Sequence, residues 1–222
     1  DVERGTLSAI KAEPWQTDTC IGNWFYKTGY KYKSPAMVAC MLADIVSKNG
    51  NLLLNIPLKH DGTIDAGEEA FLAGFGKWMA VNGEAIYGTR PWKIYGEGVV
   101  GDGKRSHFNE GAYNKMSAKD IRFTTKGDKV LYVIFMAWPE DGKVVIRSLA
   151  QPRKESERTA NVIQKVEMLG QPGYGGAMRF TQDTDALTVH LPKITAEAGA
   201  YAMPRTLRIT GSGFEPTNVE KQ

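Results

Sequence analysis

The run Asn51–Ile56, written NLLLNI, sets three leucines in a row between asparagines, with glycine-bearing turns on either side. A strand with one wet face alternates apolar and polar residues along its length. Leu52, Leu53 and Leu54 do not alternate. They predict a parallel strand covered on both faces, as inside an α/β fold, where the loop after the strand carries the chemistry. Half-exposure of these leucines on an edge strand would remove that assignment.

The flanking segments repeat with a helical period. Ser34-Pro35 gives an N-cap followed by proline at the first helical position. Met37, Met41 and Ile45, with Val38 and Leu42, then recur at i, i+4 spacing up to Lys48. Lys48 reads as the cationic last turn and Gly50 as the stop. After the turn HDGTID, a second helix is predicted over Ala66–Val81. It carries Phe71, Leu72, Phe75, Trp78 and Met79, and Asn82-Gly83 ends it. Helix, buried strand, helix is a piece of a βα-repeat fold.

Beyond Tyr87–Pro91 the texture changes. IRFTTKGDKVLYVIFMAWPEDGKVVIRSLA has strand runs broken by KGD and EDG turns, which read as hairpins. VIQKVEML, AMRFTQ, ALTVHL and TLRITG follow at spacings of about ten residues, the rhythm of a sandwich. A boundary near Arg90–Lys93 divides an α/β portion, residues 1–91, from an antiparallel β-sandwich, residues 92–222. No internal repeat or low-complexity tract is present.

Composition changes this picture little. With 42% hydrophobic and 24% charged residues, the chain can build real cores and is too balanced for disorder. The 28 basic and 25 acidic residues leave a formal charge of +3, and the cations are scattered, so they read as solvated faces and not as a nucleic-acid footprint. Cys20 and Cys40 make no framework and read as two free, partly buried thiols. No apolar run is long enough to cross a membrane as a helix. The opening DVERGTLSAIK has no Met and reads as a start in mid-loop.

Three stretches together carry a resemblance. PWQTDTCIGNWFY (Pro14–Tyr26), NGNLLLNIPLKHDGTI (Asn49–Ile64) and GKWMAVNGEAIYGTRPW (Gly76–Trp92) resemble, in order and spacing, the α-L-fucosidases of glycoside hydrolase family 29. The likeness covers about Glu3 to Trp92, and the β-rich remainder agrees in kind with that family's C-terminal sandwich. It implies the last βα units of a (β/α)₈-like barrel, with NLLLNI as the last barrel strand and its asparagines bonding backbone at the rim. The wording departs from the family's commoner one: Trp15-Gln16-Thr17-Asp18 stands where Trp-Glu-Thr-Cys is usual, Asn23-Trp24-Phe25-Tyr26 for Ser-Trp-Gly-Tyr, and Pro57-Leu58 for Gly-Pro. Gln16 cannot ionise, so no carboxylate role falls there.

The resemblance also implies a retaining exo-hydrolase, which needs two carboxyl groups about 5–5.5 Å apart, one nucleophile and one general acid/base. The family's nucleophile is an Asp on a strand well upstream, and no segment here matches it or the histidines that grip fucose. The family's acid/base precedes the conserved Trp on a loop, and by that spacing Glu3 is the matching carboxyl. Taken without the resemblance, Glu3 reads as a solvated carboxylate near a chain end. Asp18 is the next candidate, as acid/base, sugar ligand or brace, and Glu13 reads as plain loop. Trp24 matches an aromatic that packs near the methyl of fucose, where aromatic carbon favours CH₃ over CH₂OH. Trp24 and Trp15 each stand between that pocket role and core packing, and their polar, turn-rich setting favours the pocket.

His60, His107 and His190 have no partner at metal-ligand spacing and read as surface or loop. KHDGTID lacks the D-x-D-x-D-G register of a calcium loop. The chemistry needs no cofactor or metal. The expected partners are a fucosylated glycan and a second polypeptide carrying the N-terminal barrel half, as in a split or nicked enzyme. The competing reading is a non-catalytic carbohydrate-binding or structural fragment.

Overall fold

A computed structural model of the chain describes residues 1–98, 109–152, 161–170, 177–193 and 203–217. Three parallel strands, β1 (Val2–Glu3), β2 (Trp15–Cys20) and β3 (Gly50–Asn55), form one open sheet in that order. Helix α1 (Pro35–Ser47) crosses from β2 to β3, and helix α2 (Ala66–Asn82) follows β3. Register sets the two faces apart, because side chains alternate along each strand. Thr17 pairs with Leu52 and Thr19 with Leu54, while Glu3 pairs with Asp18 and Asp18 with Leu53. The first set packs under the helices, with Leu52 and Leu54 against Val38 and Phe71. The second set faces outward.

The leucine run therefore corrects its own reading. β3 is an edge strand among the described strands, and Leu53 is 55% exposed on the face away from the helices. Only Leu52 and Leu54 are covered, each half-buried. A barrel closed within this chain is thereby ruled out for the described residues, whose parallel strands number three.

Helix α1 begins as expected, with Ser34 Oγ accepting from Met37 N at 3.1 Å. Its stop differs. Lys48 is the C-cap and Asn49 takes the left-handed turn at φ 70°, a conformation asparagine tolerates. Gly50 instead opens β3, where a Cβ would lie 2.5 Å from the Trp15 ring. Lys48 is no exposed dipole partner either: it is fully buried and bonds Asp44. The sequence PAMVACMLADIVS has one charged residue, and a helix that apolar is buried on most of its surface. α2 shows a capping box between Asp65 and Glu68 and stacks Phe71, Phe75 and Trp78 along one stripe. Leu72, expected in that stripe, is 40% exposed.

The β-rich part is a pair of antiparallel sheets. One has five strands in the order β4 (Arg90–Glu97), β5 (Ile121–Lys126), β6 (Val130–Phe135), β11 (Arg205–Ser212), β8 (Val162–Met168). The other has three: β7 (Lys143–Ile146), β10 (Leu187–His190), β9 (Phe180–Gln182). Phe123, Leu131, Val133 and Leu207 from the first meet Val144, Ile146, Leu187 and Val189 from the second in one core. The KGD turn closes the β5–β6 hairpin with Gly127 at φ 63°. The EDG turn does not close a hairpin: β6 and β7 lie in different sheets, so it carries the chain across the sandwich.

The strands covered on both faces are β5 and β6. Leu131, Val133 and Phe135 point into the sandwich, while Tyr132, Ile134 and Met136 pack under α1 and α2 with Ala39, Met41 and Trp78. Helix α1 is thus wedged between the parallel sheet and the five-stranded sheet. Trp78 Nε1 donates to Pro204 O at 2.8 Å, a further tie across that layer. Both cysteines are free and buried.

Candidate active site

Glu3 is the last residue of β1, and it is half-buried at the carboxyl end of the parallel sheet. Asp18 stands beside it in register on β2. Neighbouring strands lie about 4.8 Å apart, so the two carboxyl-bearing side chains leave the same face from adjacent positions. Gln16, Leu53 and Asn55 share that face by the same alternation. The structure brings Glu3 and Asp18 together.

The β1 strand ends abruptly. Arg4 N donates to Asp18 O at 2.9 Å, and Arg4 then turns into the left-handed region at φ 48°. Its guanidinium reaches Glu110, with Nε and Nη2 both donating to Oε1 at 2.9 and 2.7 Å. Glu110 also bonds Lys33 Nζ at 3.0 Å and accepts from Thr19 Oγ1 at 2.6 Å. Burial alone would raise the Glu110 carboxyl, but the hydrogen bonds from Thr19, Arg4 and Lys33 outweigh it and hold the group below its ordinary value. The backbone closes the same contact, with Glu110 N donating to Arg4 O at 3.3 Å. Thr17 Oγ1 donates to Val2 O and Gly5 O, at 2.5 and 2.9 Å, and so clamps both sides of Glu3.

The loop after β2 mounts the aromatics. Trp24 is half-buried, and its carbonyl accepts from Asn55 Nδ2 at 3.2 Å, so it is fastened to the carboxyl end of β3. This is the rim bond expected of the second asparagine in the run. Phe25 beside it is 82% exposed. Trp15 is not brought to this group. It lies at the opposite end of β2, packed against the α1 cluster, with Nε1 donating to Lys48 O at 2.9 Å.

Sequence reading missed Glu110 and Asp44. Glu110 stands more than a hundred residues from Arg4, in a short 3₁₀ turn without a motif. Asp44 was legible only as the one charge in an apolar helix, a signal for a buried pair. Its Oδ2 bonds Lys48 Nζ at 2.8 Å, Thr6 Oγ1 at 2.9 Å and Tyr113 OH at 2.9 Å, while Oδ1 bonds Arg122 Nε at 2.5 Å. Lys48 and Arg122, expected among solvated cations, are both buried.

His60 is exposed and His190 half-buried, far apart on different elements, and His107 lies outside the described residues. In the KHDGTID loop, Asp61 Oδ1 accepts from Thr63 N and Oγ1 at 3.0 and 2.7 Å, which closes the turn on itself. Among the described residues no three His, Cys, Asp or Glu side chains gather as a metal site, and no helix is long and apolar enough to cross a membrane.

Comparisons with known proteins agree with each other. The α-L-fucosidase family model matches residues 1–84, and the α-L-fucosidase C-terminal domain model matches residues 113–210. The tissue α-L-fucosidase of Homo sapiens is 31% identical over 171 residues, which are 77% of this chain and 30% of that protein. An α-L-fucosidase of Branchiostoma floridae is 35% identical over 123 residues, 55% of this chain and 22% of its own length. The Thermotoga maritima α-fucosidase crystallised with fucose superposes with a TM-score of 0.65 at 26% identity, covering 92% of this chain and 41% of that one. The chain thus spans about 30% of the length of the curated tissue α-L-fucosidases it matches.

Proposed function

The chain belongs to the α-L-fucosidase family, and on that premise we propose that it is part of a retaining exo-α-L-fucosidase acting on terminal α-L-fucosyl groups of glycans. One observation carries the reading: Glu3 sits at the carboxyl end of a parallel strand, on the face that the helices leave open. Barrel enzymes place their catalytic groups at that end of the strands. In this reading residues 1–91 are the last βα units of the catalytic barrel and residues 92–222 the sandwich behind it.

Glu3 is the general acid/base. It protonates the glycosidic oxygen as the bond to the anomeric carbon breaks, then takes a proton from the water that releases the sugar. The nucleophile is an Asp on an upstream strand, supplied by a second polypeptide or by a preceding segment of the same one. Trp24, fastened to the rim by Asn55, walls the side of the pocket that takes the fucose methyl. Asp18 braces Glu3 or bonds a sugar hydroxyl. The exposed Leu53 and its face are where the earlier strands close the barrel.

The test is reconstitution. The chain alone should hydrolyse no aryl α-L-fucoside, and the chain mixed with the upstream half should do so at a ratio near one to one. Reconstituted particles that bind fucosylated glycans but never cleave them would favour the non-catalytic reading.

A further inference from the structure

The contact that terminates β1 joins Arg4, the neighbour of the candidate acid/base, to a residue from far along the chain. Glu3 and Arg4 are adjacent and their side chains lie on opposite sides of the sheet, as alternation along a strand dictates: Glu3 is in register with Asp18 on the open face, and Arg4, at φ 48°, reaches Glu110 on the other. On the helix side, Arg4 meets Glu110 through two guanidinium bonds and one backbone bond, and Thr19 and Lys33 complete the carboxylate. Glu110 is only 7% exposed, and Thr19 is fully buried. A left-handed non-glycine residue persists only where its surroundings over-determine it. Glu110 supplies that constraint one peptide away from Glu3.

We propose that Glu110, acting through Arg4, is a positioning residue for Glu3. It fixes the last peptide of β1 so that the Glu3 carboxyl meets the leaving-group oxygen in line. The inference rests on the reading of Glu3 as general acid/base. A 1 Å misplacement of a catalytic group can cost on the order of 10²-fold in rate, so a lost anchor should be felt in kcat and little in KM.

The experiment uses the complete enzyme, this chain together with the part that closes its barrel, and compares Glu110→Gln, Glu3→Ala and the double variant. Substrates are an activated aryl α-L-fucoside and an α-L-fucosyl disaccharide with a poor leaving group. Glu110→Gln should lower kcat on the disaccharide by on the order of 10-fold to 10²-fold, with KM within about twofold, and should spare the aryl fucoside far more. In the Glu3→Ala background it should cost nothing further, because the group it positions is gone. Additive losses, equal losses on both substrates, or a change confined to KM would overturn the positioning role. If Glu110→Gln does not fold, as read by its Tm, Arg4→Lys keeps the charge, loses the two-point fork and is held to the same outcomes. Failure of the underlying reading shows separately: Glu3→Ala would then lack both the leaving-group dependence and rescue by azide.

Discussion

Glu3 and Asp18 are in-register neighbours on β1 and β2, one strand spacing apart on the open face of the sheet. Two carboxyl groups so placed can divide labour, and replacing each in turn separates their roles. Glu3→Ala in the complete enzyme should leave fucose binding nearly intact and slow substrates with poor leaving groups most, with azide restoring part of the rate. Asp18→Asn should act on KM and kcat together, without azide rescue. The reverse pattern, with rescue at Asp18, would transfer the acid/base role to Asp18. Rescue by azide at both positions would make these two carboxyls the catalytic pair themselves.

The two tryptophans should respond in opposite ways. Trp24→Ala should leave Tm within a few degrees while weakening binding and eroding discrimination against galactosides. Trp15→Ala should destabilise the fold by about 2–3 kcal/mol, below the 3–5 of a fully buried tryptophan, because Trp15 is half-buried among the α1 residues. Chemical denaturation and a paired KM measurement decide both. A KM effect at Trp15 with unchanged stability would return it to the pocket.

Asp44 should dominate the acid limb of stability. Burial alone would raise its carboxyl, but Arg122 and Lys48 outweigh that and hold it below its ordinary value. A carboxyl with a lower pKa folded than unfolded contributes stability that is present above the unfolded value, about 3.9 for Asp. That contribution is lost as pH falls towards the folded value. Denaturant midpoints should therefore drop steeply below about pH 4, and Asp44→Asn should flatten the drop. At neutral pH, Asp44→Ala should cost about 3–5 kcal/mol, because it removes the carboxylate that two buried cations share. A cost below about 1 kcal/mol would show that the pair is replaceable by packing alone.

Leu53 tests the open face. It is more than half exposed, so Leu53→Asp should change the stability of the isolated chain by no more than about 0.5 kcal/mol. In reconstitution the same substitution should abolish assembly with the upstream half. Normal reconstitution by Leu53→Asp would mean that this face is not the closing surface.

Much of the fold was legible because local signals agreed with it. Ser34-Pro35 and the Lys-Gly-Asp turn each specify a cap or hairpin within four residues, and the structure has both. What failed needed distant information. Whether Leu53 is covered depends on strands that are not its sequence neighbours, and whether Pro-Glu-Asp-Gly closes a hairpin depends on which sheet receives the next strand. Family wording singled out Glu3, Asp18 and Trp24 as candidates, and the structure sets the first two in register, while Glu110 had no such signal, since its partner Arg4 is 106 positions away. Trp15 misled because a polar surrounding sequence says nothing about which face of a strand a side chain takes.

The wedged position of α1 has a consequence for biosynthesis. The helix is complete at Ser47, yet its Asp44 bonds Arg122, 78 residues later, and Cys40 Sγ donates to Met136 O, 96 residues later. At a synthesis rate of about 5–20 residues per second, Arg122 is made about 4–16 s after Asp44. Through that interval the helix surface meant for β5 and β6 has nothing to rest on. The carboxyl end of the parallel sheet, with Glu3 on it, is therefore translated before the residues that lock it. A ribosome pausing between Ala85 and Arg122 would hold a nascent chain with its apolar helix bare, the stage at which a chaperone has most to bind.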